Sequence, residues 1–135
     1  MPQLFSTPLE GQDIRTPIPV ATWVADIDYD ELLMRILLSG LVGGGIYQTC
    51  ATVQPLEAGP IYQSPTSFGY CAAGVTTLWL PSLIFPVEQG DALNVYVQGL
   101  AGDQSVGVIT TLWYNAGGGG GIRTARLLMS KRSHG

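Results

Sequence analysis

The chain has 135 residues, a net charge of −4 and only 12 % charged side chains, against about 25 % in an average soluble domain. That length supports one domain, able to bury roughly 65–70 % of its unfolded surface without disulfides or metals. The acidic balance excludes a globally basic nucleic-acid footprint. The longest apolar run, Leu32 to Val42, is broken by Arg35, Ser39 and Gly40 and is too short for the ~20 residues of a membrane helix. So few charges leave two compatible readings: a β-sandwich faced with Ser, Thr, Gln and Gly, or a surface partly covered by a partner.

Residues 1–20 carry Pro2, Pro8, Pro17 and Pro19 and show no hydrophobic period. They have no basic segment followed by an apolar core, so they do not read as a signal peptide, and a soluble protein made in a cytoplasm is expected. Proline favours extended geometry at and before itself, which predicts either a disordered leader or an extended N-terminal arm over residues 1–19. Leu4, Phe5, Ile14 and Ile18 suit an arm lying on a neighbouring subunit better than a solvated tail. Removing such an arm would leave the sandwich folded.

Val20 to Asp30 is predicted as the first strand. If it is extended throughout, Asp26, Asp28 and Asp30 point to one side. The spacing is superficially that of an EF-hand loop, but the sixth position would be Glu31 instead of Gly and the twelfth Leu37 instead of Glu, so a solvated acidic strand end is the better reading. Glu31 to Val42 fits either an amphipathic helix or a strand. The strand is preferred because Gly43-Gly44-Gly45 and the strand-like IYQTCATVQ follow at once, which predicts a hairpin.

Pro55 ends that strand, and Leu56 to Ser67 reads as a loop with room for a short extended piece. Phe68 to Leu80 is broken at Gly74. From Leu83 to Asn115 the pattern is clearest: Leu93, Val95 and Val97 alternate with Asn94, Tyr96 and Gln98, and Val106, Val108, Thr110, Leu112 and Tyr114 alternate with Gly107, Ile109, Thr111 and Trp113. Glu88-Gln89-Gly90-Asp91 is a tight-turn sequence with Gly90 free to take positive φ. Three strands in meander order are predicted here. Gly117 to Gly121 is a flexible joint, since no Lys-Ser/Thr follows to make a phosphate loop. Ile122 to Met129 is expected to form a last short strand, and residues 130–135 a flexible basic tail. Eight or so strands at this spacing predict an all-β, single antiparallel β-sandwich, jelly-roll-like, over residues 20–129.

Catalytic chemistry is hard to assemble from these residues. His134, the sole histidine, stands one residue from the end, where preorganised geometry is difficult to hold. With Cys50 and Cys71 as the only soft partners it cannot complete a tetrahedral zinc site. The two cysteines could pair if their strands adjoin, although reduced thiols fit cytoplasmic synthesis better. Glu57, Glu88, Asp91 and Asp103 all fall in predicted turns, away from the paired-carboxylate geometry of glycosidases. Trp23, Trp79 and Trp113 could stack on sugars, or serve in a core or interface. Tyr96, Trp113 and Tyr114 have no nearby Lys or Arg for nucleic-acid stacking.

The order apolar-Pro-apolar, Glu-x-Gly-Asp, alternating strand, Gly-x-x-x-Asp loop and long alternating strand over Leu83 to Asn115 resembles the C-terminal half of small jelly-roll virion proteins of tailed bacteriophages. These are the head decoration (cement) proteins and related tail-tip or fibre domains. The expected hairpin from Leu32 to Gln54 and the proline-rich arm are consistent with the same class. The resemblance implies a non-enzymatic protein without cofactor or metal. It would form a small homo-oligomer, a trimer before a dimer, on the outside of a major capsid protein lattice in the virion, with no nucleic-acid or membrane partner. It further implies arm contacts by Leu4, Phe5, Ile14 and Ile18, and a subunit interface at Tyr96, Trp113 and Tyr114. The alternatives are a tail or fibre module with lectin-like receptor binding, or an enzyme such as a small glycosidase or cupin relative. The cupin reading lacks the metal-binding histidines that fold would supply.

Overall fold

The computed structural model describes residues 3–57, 60–115 and 130–131. They form two antiparallel sheets packed face to face, with no helix among the described residues. Eleven strands follow in chain order: β1 (Gln3–Asp13), β2 (Ile18–Val24), β3 (Tyr29–Ser39), β4 (Gly45–Gln54), β5 (Tyr62–Gln63), β6 (Ser67–Cys71), β7 (Thr77–Trp79), β8 (Leu83–Val87), β9 (Ala92–Gly102), β10 (Ser105–Asn115) and β11 (Ser130–Lys131).

Sheet A runs β1-β10-β3, and β7 and β8 share the far edge of β3. Sheet B runs β2-β9-β4, with β5 and β6 sharing the far edge of β4 and β11 on β5. Pro65 and Pro81 each interrupt one of these shared edges, where a missing N–H is tolerated. Setting β11 aside and taking β5 with β6 and β7 with β8 as single broken strands leaves eight, and the chain alternates between sheets at nearly every step. That is the strand order of a jelly roll.

This order corrects two local expectations. Leu32 to Gln54 is not a hairpin, because β3 pairs with β10 in one sheet and β4 with β9 in the other. Likewise β8, β9 and β10 are no meander, since β9 lies in sheet B and its two chain neighbours lie in sheet A. The triple glycine serves a crossover. Gly44 has φ +76° and Gly102 has φ +87°, and a Cβ on Gly102 would overlap the Gly44 carbonyl. The β3–β4 and β9–β10 connections therefore cross backbone against backbone, which only glycine permits.

Asp103 latches that crossing. Its Oδ2 accepts the N–H groups of Val42 at 2.7 Å and Gly43 at 2.8 Å, and its own N–H donates to the Gly44 carbonyl at 3.0 Å. The buried Tyr47 hydroxyl donates to the Asp103 carbonyl at 2.8 Å. The two backbone donors hold the Asp103 carboxyl below its ordinary pKa, while burial pushes the Tyr47 phenol up to about 12.

The first strand is shorter than expected. β2 ends at Val24 and β3 begins at Tyr29. In the turn between them Asp26 accepts the Tyr29 hydroxyl, and Asp28 accepts the Gln89 N–H at 2.8 Å. The three aspartates do not act together, and no group of three or more His, Cys, Asp or Glu that could hold a metal occurs among the described residues. The Glu88–Asp91 turn is present, with Gly90 at φ +87° and the Asp91 N–H donating to Glu88 O at 3.0 Å.

The N-terminal stretch is extended, but it is not separate from the sandwich. β1 runs along β10 from Gln3 to Asp13, and Ile14 is fully buried. The unpaired edge of β10 needs a partner, and the nearest chain supplies it. Removing residues 1–20 would therefore strip an edge strand, part of β2 and a core side chain. At the other end, Ser130–Lys131 pairs with Tyr62–Gln63, so the segment expected as a flexible tail begins on a sheet edge. Gly117 to Gly121 and Ile122 to Met129 lie outside the described residues.

The core lies between the sheets. Leu32, Met34, Ile36 and Leu38 of β3 and Val106, Val108 and Leu112 of β10 face Tyr47, Ala51 and Val53 of β4 and Leu93, Val95 and Val97 of β9, all buried. Cys71 is also inside and Cys50 is on the opposite face of sheet B, so the two sulfurs are not disulfide-bonded.

Candidate functional site

A strand in a two-layer sandwich ordinarily alternates apolar and polar residues, because one face meets water. β3 breaks that rule: Leu33 and Leu37 are apolar on the face opposite Leu32, Ile36 and Leu38. The register then gathers apolar residues from distant parts of the chain. Trp113, Leu33 and Ile84 form one cross-strand row on the outside of sheet A. Pro8, Ile109, Leu37 and Trp79 form a second. Trp79 is 47 % and Ile84 56 % exposed.

Between those rows lies a polar one, Ser6, Thr111 and Arg35. The Ser6 and Thr111 hydroxyls are 3.3 Å apart. The Arg35 guanidinium carbon stands 4.4 Å from the centre of the Trp79 ring, a cation–π stack that also fixes the indole. Arg35 Nε is buried with no acceptor. Among the described residues the one ion pair is Arg15 with Asp13, at 2.6 Å, so Arg35 has no carboxylate there. A buried donor without an acceptor is costly.

Four strands at ~4.8 Å spacing and five residues at ~3.3 Å each span roughly 300 Å². That area, which includes the polar row, only reaches the lower end of the largest apolar patch of an ordinary monomer, about 300–600 Å². It is less than the ~800 Å² each partner gives to a standard interface. The patch can centre an interface and cannot complete one.

The outside of sheet B is different. Its outward residues are Thr22, Asn94 and Thr52 in one row, Tyr96 and Cys50 in the next, and then Gln98, Gln48 and Phe68. No outward position on β2, β4, β5, β6 or β9 carries a charge. Gln48 Nε2 donates to Gln98 Oε1 at 2.8 Å. A pocket of about 120 Å³ opens here, lined among others by Pro17, Gln48, Gln63, Thr66, Tyr96 and Gln98.

The residues expected to meet partners are thus distributed over three places. Trp113 is on the outer face of sheet A and Tyr96 on that of sheet B. Ile14 is fully buried and unavailable to a partner while the sandwich is closed, and Leu4, Phe5, Ile18 and Tyr114 pack against the core. Phe5, Trp23, Tyr29 and Tyr114 form an aromatic chain with ring centres 6.3, 5.6 and 5.1 Å apart in succession. Burial and the bond to Asp26 push Tyr29 up to about 12. Ile84 and Arg35 were not singled out as partner-binding by sequence reasoning, and Trp79 only as one of three tryptophans suited to sugar stacking, a core or an interface. The signal that could have found them is the run Leu32 to Leu38, apolar on both faces of one strand.

The chain matches no family model and no curated protein.

Proposed function

We propose that this protein is a non-enzymatic virion structural protein, a decoration protein that binds the outside of a major capsid protein lattice through the outer face of sheet A. The observation that carries the reading is the solvent-facing cluster of Trp79, Ile84, Trp113, Leu33 and Leu37 around Arg35, an apolar centre with one unpaired donor. Such a centre suits association with another protein. The jelly-roll order supports it, being an architecture of viral capsid proteins, lectins and cupins. Of these the cupin reading is the weakest, because the sequence holds a single histidine.

The size of the patch bears on assembly. A centre of roughly 300 Å² holds weakly on its own, whereas linked copies gain through effective concentration. A small homo-oligomer, a trimer before a dimer, is therefore part of the proposal. Direct face-to-face pairing of two copies through sheet A is disfavoured, because it would bring two Arg35 side chains together without a counter-charge.

The test is sedimentation of purified protein with capsid shells assembled without it. Wild type is expected to co-sediment at saturating stoichiometry, and Ile84→Asp to remain in the supernatant with an unchanged circular dichroism spectrum. Full occupancy by folded Ile84→Asp would overturn the assignment of this face.

A further inference from the structure

We propose that the pocket on the outer face of sheet B is a binding site for a neutral saccharide. This inference does not rest on the docking reading of sheet A. If that reading holds, the pocket lies on the opposite face of the sandwich.

Charge narrows the ligand class first. Phosphates, carboxylates and cations are bound by opposite charge, and the outward positions of β2, β4, β5, β6 and β9 carry none. The nearest charged side chain in sequence, Arg15, is engaged by Asp13, and only its backbone carbonyl reaches this face, accepting Gln98 Nε2 at 3.3 Å. What remains is amide, hydroxyl and aromatic chemistry.

That chemistry is held in place. The Arg15 carbonyl fixes Gln98, and Gln98 Oε1 in turn fixes Gln48 Nε2 at 2.8 Å. Thr49 donates to the Tyr96 carbonyl at 2.7 Å, tying the two strands beneath the pocket. Each glutamine keeps a second amide hydrogen, and Gln48 keeps its carbonyl oxygen. Polar groups locked by one another present hydrogen-bonding atoms without losing side-chain freedom on binding. Sugar hydroxyls, which both donate and accept, fit such paired amides.

Size and surroundings agree. About 120 Å³ is room for about four waters at ~30 Å³ each, enough for one edge of a pyranose and not for the whole ring. Beside the pocket, Phe68 pairs with Gln48 across β6 and β4, and Tyr70 follows two residues on. They are 56 % and 71 % exposed, and aromatic faces of this kind accept the C–H face of a sugar. A protein occupant is less well served here than on sheet A, because amides interrupt the apolar surface.

The experiment is a titration of the isotope-labelled full chain, followed by NMR, with a panel of neutral oligosaccharides: maltotriose, cellotriose, chitotriose and mannotriose. At least one is expected to shift the side-chain amides of Gln48 and Gln98 saturably. Tyr96→Ala should weaken that sugar at least tenfold, Phe68→Ala should weaken it less, and Ile84→Asp on the opposite face should leave it unchanged. Backbone spectra of each variant report whether it is folded. No saturable shift from any panel member at tenfold above ~1 mM would overturn the proposal. So would shifts confined to sheet A, or shifts of the pocket amides that follow protein concentration alone, which would make the face a self-contact.

Discussion

The two outer faces of this sandwich are built on the same period-2 alternation and end in opposite chemistry. On sheet A the outward rows are apolar around a single arginine that lacks a carboxylate. On β2, β9, β4 and β6 of sheet B they are amides, hydroxyls and aromatics without charge. A face that only had to meet water would need neither arrangement. Sheet A is suited to burial against something large and flat, and sheet B to holding something small and polar. The low charge content therefore has two separate origins, which composition alone merges.

The largest expected effect comes from changes that disturb both faces at once. Gly102→Ala puts a Cβ at φ +87° into the Gly44 backbone, where the β3–β4 and β9–β10 crossovers meet. It should cost about 3 kcal/mol or more, read as the urea midpoint. Shell binding and sugar response should then fail together. Loss of one without the other would mean that the crossover does not couple the sheets.

Next in size are changes confined to sheet A. Trp79→Ala removes the aromatic that covers Arg35 and should weaken shell association by about 2 kcal/mol or more, the range of an interface hot spot. Its folding stability should move by less than ~1 kcal/mol, since the indole is 47 % exposed. A co-sedimentation curve set beside a thermal melt separates the two. A large loss of stability with unchanged binding would make Trp79 a structural cover.

How much of this was legible in the sequence follows from range. Alternation is local, so β9 and β10, with their two faces, could be read directly from Leu93–Val97 and Val106–Leu112. By contrast β3, apolar on both faces over Leu32–Leu38, fitted a helix as well and was read as a strand only because the triple glycine and β4 follow. Pairing is not local. A short connection such as Gly43-Gly44-Gly45 fits a hairpin or a sheet-to-sheet crossover equally well. The contact that decides between them, Gly44 against Gly102, joins residues far apart in the chain. The same holds for the apolar face. Trp113 was legible as a candidate, but Trp79 and Ile84 become its neighbours only when β7 and β8 take the edge of β3. The N-terminal prolines left a disordered leader and an extended arm both open, and the edge along which β1 extends belongs to β10, beyond the reach of any local pattern.

A smaller effect is expected at the latch that serves both faces equally. Tyr47→Phe deletes the hydroxyl bonded to the Asp103 carbonyl at 2.8 Å and should cost about 1 kcal/mol, with both binding responses kept. The acid limb of stability should involve Asp103. Its folded pKa lies below the ordinary 3.8 because Val42 and Gly43 donate to it. Its contribution is therefore complete above the unfolded value and is lost as pH falls through the folded one. Asp103→Asn should lower stability at neutral pH and flatten its decline below pH 3.8. An unchanged slope in acid urea titrations would place the acid sensitivity elsewhere.

The smallest expected change in stability is the most informative about sheet A. Arg35→Met keeps an unbranched stem beneath Trp79 and removes a buried Nε with no acceptor. Deleting an unpaired polar group should leave stability within ~0.5 kcal/mol of wild type, or raise it by as much as ~1 kcal/mol. If a shell protein presents a carboxylate or carbonyl to the guanidinium, the same change should weaken docking at least tenfold, because that oxygen would then be buried without a donor. A variant that is equally stable and docks equally well would show the arginine to be solvated surface, leaving only the apolar rows to hold the partner. A loss of stability above ~2 kcal/mol would instead assign the guanidinium to the fold, through its stack on Trp79. Stability and docking respond in opposite directions only if Arg35 is kept for a partner.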